Sequence, residues 1–148
     1  MGTSEAHTFI PLRLYSFEVI FLWWHICMKW DVEYTDEFEA WWDHLNEFEQ
    51  DSVQATVMLL GEDGPHLGFS TYQRYQGSRH GNLRELRVQH AGRPYRVLYA
   101  FDPRRSAILL IGGDKTGQER WYTEHVPLAE RLYDEHLETL KKEGYDNG

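Results

Sequence analysis

Apolar and charged residues alternate over residues 29–34, and this pattern predicts the first strand of the domain. Trp30, Val32 and Tyr34 share one side, as expected for a half-buried strand with a period of two residues. The apolar spacing then changes to that of an amphipathic helix, for which Thr35 is a suitable N-cap. The apolar stripe of this first helix consists of Phe38, Trp41, Trp42, Leu45 and Phe48.

A second helix is predicted to begin at Asp51, because Gln54 follows three residues later as a capping-box partner. Gly61 is its predicted end, since glycine commonly terminates helices. The turn-rich residues 61–77 are predicted to form a surface loop. The two helices would then form a hairpin across a sheet, and the inner face of the second helix would consist of Val53, Val57 and Leu60.

Three further strands are predicted at residues 83–90, 95–101 and 106–112. The connections between them, residues 91–94 and 102–105, are short and rich in turn-forming residues. Two short connections in succession predict an antiparallel meander. The last of the three strands is almost entirely apolar, which predicts that it is buried on both faces.

A final helix is predicted with Pro127 in its first turn and Gly144 at its end. The resulting order is β-α-α-β-β-β-α. This order is typical of an α+β domain in which an αα hairpin and a C-terminal helix pack on one face of a curved antiparallel sheet. The stripe of the final helix consists of Ala129, Leu132, Tyr133, His136, Leu137 and Leu140.

Residues 10–27 are apolar, but Arg13, Glu18 and His25 interrupt them. A membrane span needs about 20 mostly apolar residues, and a signal peptide needs a basic start and a small-residue cleavage site. Neither is predicted here. Residues 1–27 are therefore assigned as an N-terminal extension of uncertain role, either an upstream addition to the reading frame or an added strand or helix. The domain then covers residues 28–143, and a short tail covers 144–148.

A chain of 148 residues is long enough for one well-cored domain. Its single cysteine, Cys27, excludes a disulfide within the chain and a cysteine-based zinc site, and it fits a reducing, cytoplasmic location. No pair among the eight histidines has metal-ligand spacing on one helix face. Neither a metal nor another cofactor is predicted.

The net charge of −9 is unevenly distributed along the chain. Residues 79–120 hold nine basic and four acidic residues, a net charge of +5, which leaves −14 for the remainder. Such asymmetry predicts a local anion-binding face on an otherwise acidic body, although ordinary solvated surface charge is the simpler alternative.

Arg87 and Arg96 fall on adjacent predicted strands, and they converge on one site if both face outward. Paired arginines suit a phosphate whose charge grows in the transition state, as when an RNA 2′-hydroxyl attacks the neighbouring phosphate. Lys115 follows the third of these strands. The aromatic pair Trp121 and Tyr122 comes next, and aromatic rings beside cations suit the stacking of an unpaired base.

Other residues of the basic region are candidates for general RNA contact rather than catalysis, namely Arg79 and Arg84. His90 is a further candidate for RNA contact. Together with His80 it is also an alternative to Tyr122 in proton transfer, because histidine titrates near neutral pH.

The segments ELRV, YRVLYAFD, AILLIGGDKTG and WY, following an acidic helical hairpin, resemble the RelE/ParE toxin superfamily. They are most similar to its HigB-type branch, which includes phage-derived members, and the resemblance covers residues 28–140. It implies a RelE-like fold and a toxin of a type II toxin–antitoxin system. Such a toxin would be a ribosome-dependent, metal-independent endonuclease of mRNA, neutralised by a helix-turn-helix antitoxin and oligomerising through the toxin–antitoxin complex.

The resemblance also implies roles for particular residues. Arg96 matches the strand arginine that stabilises the transition state, and Arg87 and Lys115 match basic positions around it. Tyr122, or less closely Trp121, matches an aromatic position that can serve in proton transfer. To act as a base, Tyr122 would need cationic neighbours that lower its pKa, and Lys115 and Arg96 are the candidates for this.

Two features depart from the pattern: Glu85 stands where a second basic residue is expected, and the chain is acidic overall. A ParE-like toxin that inhibits DNA gyrase without catalysis therefore stays open as an alternative. So does a degenerate toxin that acts only as a partner-binding module.

Overall fold

The computed structural model describes residues 6–9, 29–68, the backbone of 72–74, and residues 81–118 and 120–145. These residues form a mixed α+β domain. Its elements are β1 (His7–Thr8), β2 (Val32–Tyr34), α1 (Asp36–Asp43), α2 (Glu47–Asp63), a 3-10 turn (Gly64–His66), β3 (Tyr72–Arg74), β4 (Arg84–His90), β5 (Arg93–Phe101), β6 (Ala107–Asp114) and α3 (Trp121–Lys142).

The strands form one six-stranded sheet in the order β1-β2-β6-β5-β4-β3. The predicted meander is present, because β5 pairs antiparallel with both β4 and β6. A wholly antiparallel sheet was a wrong prediction: β2 runs parallel to β6, with Val32 opposite Ala107. The intervening chain is long enough to return β6 in the direction of β2, as a parallel pair requires.

Two short strands extend the predicted set. β3 lies within the stretch predicted as a loop and pairs with β4 at one edge of the sheet. β1 pairs with β2 at the other edge, and the adjacent Phe9 is buried against Trp42. β2 also has three residues, but it lies within the longer alternating run of residues 29–34, and β1 and β3 lie in no such run.

The helices pack on both faces of the sheet, so the prediction that they share one face was wrong. The α1–α2 hairpin shares a hydrophobic cluster with Val97 and Tyr99 of β5. α3 shares the opposite cluster with Leu98 and Ala100 of the same strand. Successive strand residues point to opposite faces, and each face of this sheet therefore needs its own cover. The prediction that the third meander strand is buried on both faces is confirmed, because all of residues 107–113 are buried.

The helix boundaries differ from those predicted. α2 begins after Asn46 rather than at Asp51, because the Asn46 side chain accepts from the Glu49 N–H at 2.9 Å. In return the Glu49 carboxylate accepts from the Asn46 N–H at 3.1 Å, which completes a capping box. Phe48 therefore lies in this helix rather than in α1, and its side chain is 73% exposed instead of joining the stripe.

The ends of α2 and α3 also shift. Gly61 is buried inside α2, and Gly64, with a φ of +54°, ends that helix. α3 begins at Trp121, so Pro127 lies inside it rather than in its first turn. Gly144 follows the C-cap of α3 with a φ of +95°, near the predicted end.

Several predictions fall outside the described residues. They concern the apolar residues 10–27 with Cys27, the possible contacts of Arg79 and His80, and the last residues of the tail, 146–148. Among the described helices, none has the length and apolar character that crossing a membrane requires.

Asp102, in the turn between β5 and β6, ties that turn to α3. Its Oδ2 atom lies 2.8 Å from His136 Nε2 and 2.7 Å from Arg104 Nη2, and its Oδ1 accepts from the Ser106 N–H at 3.2 Å. Arg104 also pairs with Glu33 of β2. Burial alone would raise the pKa of Asp102, but the hydrogen bonds from His136 and Arg104 outweigh it and hold the pKa below its ordinary value.

Replacing Asp102 by asparagine is expected to lower the free energy of unfolding at neutral pH by about 1–3 kcal/mol, because the hydrogen bonds to a buried charge weaken. A lowered folded-state pKa stabilises the protein above the unfolded pKa, and this contribution is lost as the pH falls. The difference between wild type and Asp102→Asn should therefore shrink below about pH 4 in urea unfolding experiments. Asp43→Asn, at an exposed position, is the control. A difference independent of pH would contradict the assignment.

Candidate active site

Arg87 and Arg96 lie directly opposite each other on β4 and β5. Opposite residues of an antiparallel pair project from the same face, here the face that α3 partly covers. Gly113 of β6 is the next residue in this cross-strand row. The side chain of Arg96 is largely buried, whereas that of Arg87 is half-buried. The sheet therefore places two guanidinium groups side by side at the margin of α3.

Glu85 lies between these arginines and is 3% exposed. Its Oε1 atom is 3.5 Å from Arg87 Nε and 4.0 Å from Arg96 Nε. Two neighbouring cations can be buried at lower cost when an anion stands between them. Glu85 stands two residues before Arg87 on β4, so the spacing in the sequence already allowed an ion pair between them on one face of the strand. The further contact of Glu85 with Arg96 was not predicted.

Tyr122, in the first turn of α3, completes the cluster. Its hydroxyl lies close enough to Glu85 and Arg96 for both groups to shift its pKa. Burial, followed by the contact with Glu85, raises the pKa of Tyr122 to about 12, and Arg96 only partly opposes this. The expectation that the cations would lower this pKa was wrong, because the carboxylate of Glu85 was left out of it. The hydroxyl is protonated at neutral pH and suits proton donation.

Lys115 lies directly after β6, on the outer side of Tyr122. Its Nζ atom is 4.9 Å from the centroid of the Tyr122 ring, which is cation–π contact. Its backbone N–H donates to Pro94 at 2.8 Å and so fixes the end of β6 against β5. Four predicted catalytic residues thus lie in one neighbourhood: Arg87, Arg96, Lys115 and Tyr122.

Trp121 was predicted to stack on an unpaired RNA base, but its side chain lies in the core. Its side chain is 1% exposed and lies over Gly113, where a Cβ atom would overlap the indole. Its ring also stacks on His125 with 4.3 Å between centroids. An indole enclosed in this way has no face available to an RNA base, so the prediction of RNA binding by Trp121 was wrong. Of the aromatic pair, Tyr122 is the residue at the site.

Arg84 and His90 lie on the opposite face of the sheet from Arg87, because they are an odd number of residues away from it on the same strand. Arg84 Nη1 donates to the carbonyl of Pro65 at 3.4 Å. His90 Nδ1 lies 2.8 Å from Ser52 Oγ on α2, and its ring stacks on Tyr95. Neither joins the cluster around Arg96, so His90 does not replace Tyr122 in proton transfer there.

Two groups of described residues have ligand atoms close enough to hold a metal ion, and both lie away from this cluster. One is exposed and comprises His7, Asp36 and Glu39. The other comprises Glu33, Asp102 and His136, and there the Arg104 guanidinium already contacts both carboxylates.

Comparison with known proteins identifies a family and two named relatives of this chain. Residues 40–134 match the family described as "Phage derived protein Gp49-like (DUF891)". The chain is 40% identical over 109 residues to the Mycobacterium tuberculosis protein named "Putative toxin HigB2". The matched stretch covers 72% of this chain and 53% of that protein. It is 42% identical over 96 residues to "Putative toxin HigB3" of the same organism, covering 64% of this chain and 82% of that protein.

The chain thus spans about half the length of HigB2 but most of HigB3. No solved structure matches the chain significantly. The family match covers more than half of the chain and includes all four clustered residues. The chain belongs to the phage-derived Gp49-like family and is of the HigB type that these two relatives represent.

Proposed function

We propose that this protein is the toxin of a toxin–antitoxin system and inhibits translation as a ribosome-dependent, metal-independent mRNA endonuclease. The observation that carries the proposal is the contact of Tyr122 with Arg96 and Glu85 on the face where Arg87 stands beside Arg96. A phosphate bound there would meet two guanidinium groups and a protonated hydroxyl. The names of the relatives HigB2 and HigB3 support a toxin but do not specify its chemistry.

The chemistry that suits this cluster is attack of the RNA 2′-hydroxyl on the adjacent phosphate. The products are a 2′,3′-cyclic phosphate and a 5′-hydroxyl end. Arg96, held by Glu85, would stabilise the charge that develops on the phosphate oxygens, with Arg87 beside it. The proton of the 2′-hydroxyl would leave to solvent. Tyr122, which is protonated at neutral pH, would donate its proton to the departing 5′ oxygen and be reprotonated from solvent. Glu85 is buried between the arginines and is assigned to orienting them.

The partners follow from this function. We expect a cognate helix-turn-helix antitoxin that neutralises the toxin, and the ribosome with its bound mRNA as the target, which implies a cytoplasmic location. Contact with ribosomal RNA would be confined to the basic region, since residues 79–120 carry a net charge of +5 within a chain of −9.

Primer extension on translated mRNA after induction in bacteria tests the proposal. Discrete cuts with 5′-hydroxyl ends are the expected result. Intact mRNA with stalled DNA gyrase would instead support the ParE-like alternative. A third outcome is that cells grow normally although they contain folded protein that binds the antitoxin. That result would support the alternative in which the protein acts only as a partner-binding module.

Tyr122→Phe is expected to lower the rate of mRNA cleavage about 10²-fold, because the ring against Lys115 is kept while the proton donor is lost. The free energy of unfolding should change by about 1 kcal/mol or less. Single-turnover cleavage on programmed ribosomes and urea unfolding measure the two effects. Tyr145→Phe, at an exposed tyrosine beyond α3, is the matched control and should cleave like the wild type. Unchanged cleavage by Tyr122→Phe would exclude this proton donor.

A further inference from the structure

Asp114, the last residue of β6, lies beside the proposed active site but faces the other side of the sheet. It stands opposite Tyr95 of β5, which packs in the hydrophobic cluster under the α1–α2 hairpin. Opposite residues of an antiparallel pair project from one face, so Asp114 projects toward this hairpin. The neighbouring pair, Arg96 with Gly113, projects from the face that carries the active site. The Asp114 carboxylate is therefore directed away from a phosphate bound at Arg96.

The carboxylate of Asp114 accepts hydrogen bonds on both of its oxygens. Its Oδ1 atom accepts from the Thr116 N–H at 2.9 Å and from Thr116 Oγ1 at 2.5 Å, which closes a turn around Lys115. Its Oδ2 atom accepts from Arg93 Nη2 at 2.5 Å. Burial alone would raise the pKa of Asp114, but the hydrogen bonds from Thr116 and the charge of Arg93 outweigh it and hold the pKa below its ordinary value. The side chain is therefore ionised at neutral pH and can accept from both partners.

Arg93 connects this carboxylate to the rest of the fold. Its guanidinium carbon lies 5.7 Å from the centroid of the Tyr95 ring, which is cation–π contact. The Tyr95 hydroxyl in turn donates to Glu49 at 2.5 Å, and Glu49 belongs to the capping box of α2. Asp114 thus ties the loop that follows β6 to the first turn of α2.

The backbone of Lys115 is held within this arrangement. Its N–H donates to the Pro94 carbonyl at 2.8 Å, and its own carbonyl accepts from the Gln118 N–H at 3.1 Å. Residues 116–118 are exposed, and Gly117 has a φ of +66°, a conformation in which glycine has few steric limits. The contacts of Asp114 at the start of the loop therefore restrict a segment that would otherwise have many accessible conformations.

We propose that Asp114 is a positioning residue, which fixes the turn after β6 so that the Lys115 ammonium stays beside the ring of Tyr122. The effect of this role on cleavage rests on the proposed endonuclease function. The ammonium nitrogen lies 4.9 Å from the centroid of that ring. A charge that is held in place stabilises the developing charge of a phosphate without reorganisation. A displacement of about 1 Å can lower a rate about 10²-fold.

NMR of the full chain tests the positioning without any cleavage. Side-chain protons of a lysine beside the face of an aromatic ring have upfield shifts, and in Lys115 these shifts report the contact with Tyr122. In Asp114→Ala they should move toward the values of an unstructured lysine, because the turn loses its acceptor. Asp63→Ala, at an exposed aspartate at the end of α2, is the matched control and should keep them. Unchanged Lys115 shifts in folded Asp114→Ala would overturn the proposal.

Single-turnover cleavage on programmed ribosomes tests the consequence for the reaction. Asp114→Ala should cleave about 10-fold more slowly than wild type, and Asp63→Ala should cleave like wild type. Lys115→Met, which keeps the length of the side chain but removes its charge, should also cleave about 10-fold more slowly. Because Asp114 acts through Lys115, the two losses should not add, and the double variant should cleave within about twofold of Lys115→Met alone. Losses that multiply would overturn the proposal, since a merely structural defect lowers cleavage equally in both backgrounds.

Asp114→Asn separates the contacts of the two carboxylate oxygens. Asparagine also forms this turn, since its side-chain carbonyl can accept from the Thr116 N–H, but it carries no charge for Arg93. It should keep the upfield shifts of Lys115 and cleave at least about threefold faster than Asp114→Ala. Equal cleavage and equally displaced shifts in both variants would overturn the role of the turn. Absence of cleavage by wild type, together with Lys115 shifts that depend on Asp114, would overturn the endonuclease while the positioning stands.

Discussion

Replacing Arg96 by alanine is expected to lower mRNA cleavage by about 10²–10³-fold and to abolish growth inhibition. Arg96 is the most enclosed cation of the cluster and contacts Tyr122, so its charge acts where little water screens it. Fixed charges aimed at the reacting phosphate contribute most when they need no reorganisation during the reaction. Cleavage on programmed ribosomes and colony counts after induction measure the effect.

The same substitution also has a structural cost, because Arg87 is then the only cation paired with the buried Glu85 among the described residues. The free energy of unfolding should fall by about 1–3 kcal/mol. Arg96→Lys separates the two effects, since it keeps the charge beside Glu85 but loses the planar fork that contacts phosphate through two N–H groups. This variant should be nearly as stable as wild type yet remain strongly impaired in cleavage.

Arg131→Ala is the matched control for Arg96, because Arg131 is an exposed arginine on α3 that pairs only with the neighbouring Glu135 among the ion pairs of the described residues. It should retain full toxicity and stability. Full toxicity of a folded Arg96→Ala protein would contradict the assignment of the site.

Replacing Trp121 by alanine is expected to lower the free energy of unfolding by about 3–5 kcal/mol. The indole fills the space over Gly113 between α3 and the sheet, and its loss would leave a cavity at the base of the active site. Urea unfolding followed by circular dichroism measures this. Phe48→Ala, which removes a large but exposed aromatic side chain, should change the stability by about 0.5 kcal/mol or less.

This experiment also distinguishes the two roles considered for Trp121. A side chain that served to stack on RNA would affect cleavage and leave the stability unchanged. A stable Trp121→Ala protein would therefore contradict its assignment to the core.

The parts of the fold that could be predicted from the sequence are those with a long and regular pattern. The strands β4, β5 and β6 and the apolar stripe of α3 are examples, because each is a long apolar or periodic run bounded by turn-forming residues. The direction of β2 and the division of the helices between two faces could not be predicted in the same way. They depend on contacts between distant segments, such as Val32 with Ala107, which leave no local pattern.

The features of the candidate site also divide into those that could be predicted from the sequence and those that could not. The opposition of Arg87 and Arg96 follows from two strands and a short turn, and it was predictable. The alternation of side chains along β4 also separates Arg84 and His90 from Arg87, a consequence that the sequence analysis did not draw. The contact of Tyr122 with Glu85 could not be predicted, because it depends on where α3 begins and on which face it covers.

The short strands at the two edges of the described sheet bear on association between copies of the protein. β1 has two residues and β3 has three, so each offers few unpaired backbone groups to the edge of another molecule. Within the described residues, edge-to-edge association between copies of the chain therefore has little template along these two strands.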